Sequence, residues 1–125
     1  MKRILVVDND EITLQLTERF LGNFGYEVEA VSTSKLALDK LNQPTYDLII
    51  SEIEMPGLNG FDLIKFMSKC HINVPLVFLA SRDDRTTIDE AKHAGIDRVI
   101  SKKNDYINLP HIIDNLLYQD HKVAV

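Results

Sequence analysis

Asp47-Leu48-Ile49-Ile50-Ser51, followed by Glu52-Ile53-Glu54 and then by Met55-Pro56-Gly57-Leu58-Asn59-Gly60, is the stretch on which the fold turns. Its apolar run is strand-sized and lacks the alternation of a half-exposed strand, so it predicts a strand covered on both faces. Two carboxylates stand where that strand ends, and a turn whose glycines permit positive φ comes next. Outward from it, similar runs recur at Arg3 to Val7 and Leu76 to Leu79, with shorter or more polar ones at Glu27 to Val31 and Arg98 to Ile100. Glu27-Val28-Glu29-Ala30-Val31 alternates polar with apolar, which suggests an edge. Longer segments at helical spacing separate these runs. Five β-α repeats predict an α/β fold: a parallel sheet with helices on both faces.

Ile12, Leu16, Phe20 and Phe24 repeat every four residues and predict a first helix that packs inward through this stripe and is closed by Gly25. Ser32, Thr33 and Ser34 offer caps for a second helix through Ala37, Leu38 and Leu41, stopped by Pro44. A third helix opens around Phe61, Ile64 and Lys65 and ends before Pro75. Asp83 or Asp84 caps a fourth, closed by Gly95, and a fifth runs from Asn108 to Tyr118. The expected organisation is one domain over residues 1–119 with a flexible tail over 120–125.

Composition removes several function classes. A formal charge of −5 argues against direct binding to a nucleic-acid backbone. The apolar runs fall far short of the roughly 20 residues of a membrane helix. The single cysteine, Cys70, has no partner in the chain for a disulfide, which fits a reducing cytoplasm, and is expected at a helix end. His71, His93, His111 and His121 share no metal-ligand spacing and are read as surface residues.

Ligands of open parallel sheets bind beyond the carboxyl ends of the strands. Asp8, Asn9, Asp10 and Glu11 follow the first strand, Glu52 and Glu54 the third, and Lys102 and Lys103 the fifth. Carboxylates from two loops facing a lysine from a third can hold a divalent cation and a phosphoryl group. The residues alone equally allow solvated loops that cap helices, the reading favoured for Asp10 and for the charge run Arg82-Asp83-Asp84-Arg85.

Four segments, in order, resemble a response-regulator receiver domain of the chemotaxis-regulator type: Ile4-Leu5-Val6-Val7-Asp8; Asp47 to Ser51 with Met55 to Gly60; Val74-Pro75-Leu76-Val77-Phe78-Leu79; and Ala94-Gly95-Ile96-Asp97 running to Ser101-Lys102. The resemblance covers Lys2 to about Gln119. It implies a doubly wound, flavodoxin-like sheet of order 2-1-3-4-5 with five helices. It also implies a two-component signalling module rather than an enzyme, with a histidine kinase or a downstream effector as partner, as monomer or homodimer.

In that family an acidic pair binds Mg²⁺, an aspartate after the third strand accepts the phosphoryl group, and a hydroxyl and a lysine hold its oxygens. Carried over by position, the resemblance gives a weak or vestigial Mg²⁺ site, or none, at Asp8, Asn9, Glu52 and Glu54. Glu52 falls on the acceptor, Ala80 on the hydroxyl, Val99 on the aromatic switch residue and Lys103 on a usual proline. Only Asp8 and Lys102 match fully. No catalytic residue is therefore assigned. The extra methylene of Glu52 moves its carboxylate by more than about an ångström, and a misplacement of about 1 Å costs on the order of a hundredfold in an in-line transfer. A standing Glu52–Lys102 ion pair is expected to fill the phosphoryl position. The resemblance places a partner face at Lys92, His93, Arg98 and Val99. The alternative is a conventional phosphoacceptor with weak Mg²⁺-dependent chemistry on Glu52 or Asp8. A nucleotide or flavin site is disfavoured, because no glycine-rich loop follows the first strand.

Overall fold

A computed structural model of the protein describes residues 2–43, 45–96 and 98–118. Five parallel strands, β1 (Arg3–Val7), β2 (Glu27–Val31), β3 (Leu48–Ser51), β4 (Leu76–Ala80) and β5 (Val99–Ser101), form one sheet in the order β2-β1-β3-β4-β5. Helices α1 (Glu11–Asn23), α2 (Ser34–Leu41), α3 (Gly60–Lys69), α4 (Arg85–His93) and α5 (Leu109–Tyr118) cover it, with a 3₁₀ turn at Tyr106–Asn108 ahead of α5. The predicted α/β class and strand order are those observed. Strand limits move by a residue or two: β3 starts after Asp47, β4 extends to Ala80, and β5 runs to Ser101. Pro44, Asp97, His121 and the expected tail lie outside the described residues.

Period-two alternation sorts the sheet's side chains to two faces. Ile4, Val6, Leu48, Ile50, Val77 and Leu79 pack against Leu14 and Leu21 of α1 and Leu109 and Ile113 of α5. Leu5, Val7 and Ile49 point the other way, to Ala37 and Leu41 of α2 and Leu63 and Met67 of α3. On that same side Phe78 and Ala80 meet Ala91 of α4. With both faces covered, β1, β3 and β4 carry no exposed residue. The polar alternation of β2 is that of an edge strand: Glu29 takes Arg3 and Lys40, each at 3.0 Å, and the Tyr46 hydroxyl.

The first helix is turned relative to expectation. Leu14, Thr17 and Leu21 are its buried residues, whereas Ile12, Leu16 and Phe24 are 69, 52 and 53% exposed and Phe20 is half-buried. Steps of four advance 400°, so the predicted stripe drifts by about 40° per step around the helix. The buried set has the steps of three and four that hold a constant face. A threonine in its middle disguised it. Thr17 is tolerated there because its hydroxyl meets the Tyr106 hydroxyl at 2.8 Å.

Helix starts follow cap chemistry. Thr33 accepts from Leu36 N at 3.0 Å, Asp84 accepts from Thr87 N at 2.9 Å, and Asn59 and Asp62 form a reciprocal capping box. Gly25 and Gly95 end α1 and α4 at φ +94° and +87°. Cys70 caps the C-terminus of α3 and is exposed.

Candidate functional site

Val7 pairs with Ser51, and Ala80 with Ser101, so the strands end level with one another. The next residues, Asp8, Glu52 and Lys102, therefore emerge at one edge. The backbone fixes each: Asp8 N donates to Val31 O, Glu52 N to Val7 O at 2.9 Å, and Lys102 N to Ala80 O at 2.9 Å. Lys102 leaves β5, two strand positions from β3 and so about 10 Å away at ~4.8 Å per strand. Its long side chain spans the gap. Behind it, Ser101 N donates to the Asp105 carboxylate and Asn104 N to the Ser101 hydroxyl, both at 3.0 Å, which fixes the lysine's exit.

The expected Glu52–Lys102 pair is present, with Nζ 2.8 Å from Glu52 Oε1, and Lys102 holds Asp8 Oδ2 as well, at 2.7 Å. Both carboxylate side chains are buried, at 2 and 3% exposure. Asp8 Oδ1 accepts from Asp10 N at 2.9 Å. Glu52 is held from three sides. Oε2 accepts from Ile53 N at 2.6 Å and Glu54 N at 3.3 Å, and Ser81 N donates to Oε1 at 3.1 Å, with Oε2 at 3.4 Å. Burial pushes the Asp8 carboxyl above its ordinary range, against the pull of Lys102. For Lys102, burial alone would lower the ammonium, but its bonds to Asp8 and Glu52 carry it above the ordinary lysine value.

The structure brings Asp8, Glu52 and Lys102 together and leaves their sequence neighbours outside. Asn9 is exposed, and Glu54 is exposed and paired with Arg82 at 2.9 Å. Asp10 is the residue before α1; its carboxylate takes the Thr13 hydroxyl rather than a backbone N–H. Ala80 is buried, and Ser81 contributes its backbone N–H to the site. Among the described residues, no three His, Cys, Asp or Glu side chains stand close enough to hold a metal ion. The ammonium of Lys102 already bridges the two inner carboxylates. As they stand, these donors do not fit a Mg²⁺ shell, which wants several oxygens in near-octahedral array.

Two contacts escaped the sequence reading. Arg82 ties the β3–α3 and β4–α4 loops by meeting Glu54 and, at 3.1 Å, Asp84. The Ser81 N–H–Glu52 bond was equally hidden, since a backbone donor leaves no mark in residue type. Of the expected partner face, Lys92, Arg98 and Val99 line one groove of about 380 Å³ with Ile88, Ile96 and Ile112, whereas His93 opens onto a different groove beside α3.

The response regulator receiver domain family matches residues 4–114. The chain belongs to that family. Among curated relatives, this receiver is 38% identical over 100 residues to the uncharacterized transcriptional regulatory protein YrkP of Bacillus subtilis, covering 80% of the chain and 42% of the relative. It is 36% identical over 87 residues to the two-component response regulator ARR14 of Arabidopsis thaliana, covering 68% of the chain and 22% of the relative. The chain thus spans less than half the length of either. Among solved structures, the receiver domain of the Francisella response regulator 1452 is 29% identical with a TM-score of 0.85, over 98% of this chain and all of that one. The Thermotoga maritima response regulator TrrA, solved with Mg²⁺ and BeF, is 30% identical with a TM-score of 0.80, over 94 and 100%. Among the described residues, no helix is long and apolar enough to cross a membrane.

Proposed function

We propose that this receiver signals through protein contacts without phosphoryl transfer, its Glu52 carboxylate standing where a phosphoryl group would sit. One observation carries the reading: both Glu52 oxygens are already committed, to Lys102 and to the backbone N–H groups of Ile53, Glu54 and Ser81, in a side chain 3% exposed. A carboxylate so engaged has no oxygen free for in-line attack. Its bond to Ser81 N draws the β4–α4 loop onto the site without a hydroxyl at Ala80, and Val99 has no ring to reposition. Lys102 supplies the positive charge that a divalent ion would otherwise bring. The domain is thus held in one state, in the cytoplasm, and offers a kinase or effector the groove lined by Lys92, Arg98 and Val99.

The test is the amide spectrum of the nitrogen-labelled chain with Mg²⁺ and beryllofluoride added. The expected result is no shift at Ser81, Glu54 or Val99 in the native chain, and shifts at all three after Glu52→Asp with Asn9→Asp. Native shifts at saturating ligand would instead favour the conventional, Mg²⁺-dependent reading.

A further inference from the structure

The turn Met55-Pro56-Gly57-Leu58-Asn59-Gly60 is left unused by the site, and it holds the one asparagine of eight that a glycine follows. Asn-Gly is the dipeptide most prone to self-modification, because a glycine has no side chain to shield its backbone nitrogen. That nitrogen attacks the asparagine Cγ, the side-chain amide leaves as ammonia, and water opens the resulting succinimide at either carbonyl. One opening gives aspartate; the other gives isoaspartate, whose main chain runs through the former side chain. Either way an ammonia is lost and a water gained. We propose that Asn59-Gly60 is such a modification site, held shut by the start of α3 and reactive only when that start opens locally.

The folded chain opposes each part of the reaction. Gly60 is buried, and the attacking nitrogen donates its proton to Ile53 O at 2.8 Å. Asn59 Oδ1 accepts from Asp62 N at 2.9 Å, and Asn59 N donates to Asp62 Oδ2 at 3.0 Å. From the other side Ser34 Oγ, in a side chain 2% exposed, donates to Leu58 O at 3.0 Å. Asn59 is thereby fixed at φ −85° and ψ −177°. Closing the five-membered ring requires turning ψ and the side chain together, which breaks the capping bonds and the Gly60 bond.

These ties are local, and a helix end opens at less cost than the sheet. Pro56 and Gly57 are already exposed, and Leu58 and Asn59 are half-buried. The products differ in effect. An aspartate at position 59 keeps an oxygen for Asp62 N but sets a second charge beside the Asp62 carboxylate. An isoaspartate lengthens the main chain by a methylene and pulls Gly60 N off Ile53 O, which undoes the start of α3.

Peptide mapping of the full chain, aged at mildly alkaline pH in buffer and in urea, tests the proposal. In urea, position 59 is expected to convert before any other asparagine; in buffer it is expected to convert at least about a hundredfold more slowly. Ser34→Ala and Asp62→Ala, each shown to be folded by its thermal melt, are expected to speed conversion in buffer about fivefold, as loss of one cap raises the open population. Tyr26→Phe removes a 2.9 Å bond to Asp114 on the other face of the sheet and is expected to leave the rate unchanged. Equal rates in buffer and urea, or no preference for position 59 in urea, would overturn the proposal. So would two turn variants without effect, or a Tyr26→Phe chain accelerated as much as they are, since the route would then be global unfolding.

Discussion

Lys102→Met is expected to lower the unfolding free energy by about 3–5 kcal/mol, the cost of leaving buried charge uncompensated. Asp8 and Glu52 would remain side by side at 2 and 3% exposure, with their shared ammonium gone. Urea unfolding measures the loss, and pH identifies its source. Lys102 is raised above the ordinary lysine value when folded. Its stabilisation is therefore complete below the unfolded pKa of about 10.4 and is lost as pH climbs through the higher folded value. The native chain and the variant should converge above that window. Asp8 runs in the same direction in a lower window: a carboxyl raised by burial favours folding at low pH and loses that contribution as pH rises through its folded value. Acidification should therefore also rescue part of the variant's deficit. A variant as stable as the native chain at neutral pH would mean that Lys102 does not compensate the two carboxylates.

Gly60→Ala is expected to cost about 3 kcal/mol and to disturb the site itself. A Cβ at Gly60 would stand 2.7 Å from the Glu52 carbonyl oxygen, 2.7 Å from Phe78 Cε1 and 3.0 Å from Ile53 Cα. Two of these are backbone atoms, and Phe78 is fully buried in the core, so none can step aside cheaply. Gly60 opens α3 and donates its N–H to Ile53 O at 2.8 Å, which locks the helix start against the segment carrying Glu52. Moving that start shifts the Glu52 carboxylate relative to Ser81 and Lys102. A thermal melt and the Ser81 amide resonance report the two effects together. Stability within about 0.5 kcal/mol of native, the range of an ordinary surface substitution, would contradict the packing described.

The legible part of this protein was what period and punctuation encode. Continuous apolar runs at β1, β3 and β4 announced strands covered on both faces, and Gly95 and the pair Asp83 and Asp84, of which Asp84 is the cap, marked helix ends through conformational and capping preferences that act locally. The face of α1 was misread, because the larger side chains lie on the exposed ridge and a threonine sits in the buried one; choosing between them required the Tyr106 hydroxyl, 89 residues away. In the site, converging strand ends gave a larger set of acidic and basic residues, and the family resemblance singled out Asp8, Glu52 and Lys102, which the structure brings together. The bonds from Ser81 N and Arg82 were not legible, since both depend on how the β4–α4 loop folds over the third strand's end.

Intact mass after incubation with acetyl phosphate and Mg²⁺ tests the central claim most directly, with the native chain run beside a Glu52→Asp, Asn9→Asp variant. The account predicts that the native chain gains no phosphoryl group while the variant gains one. A native chain that gains phosphoryl mass would contradict it and would make this domain a working phosphoacceptor.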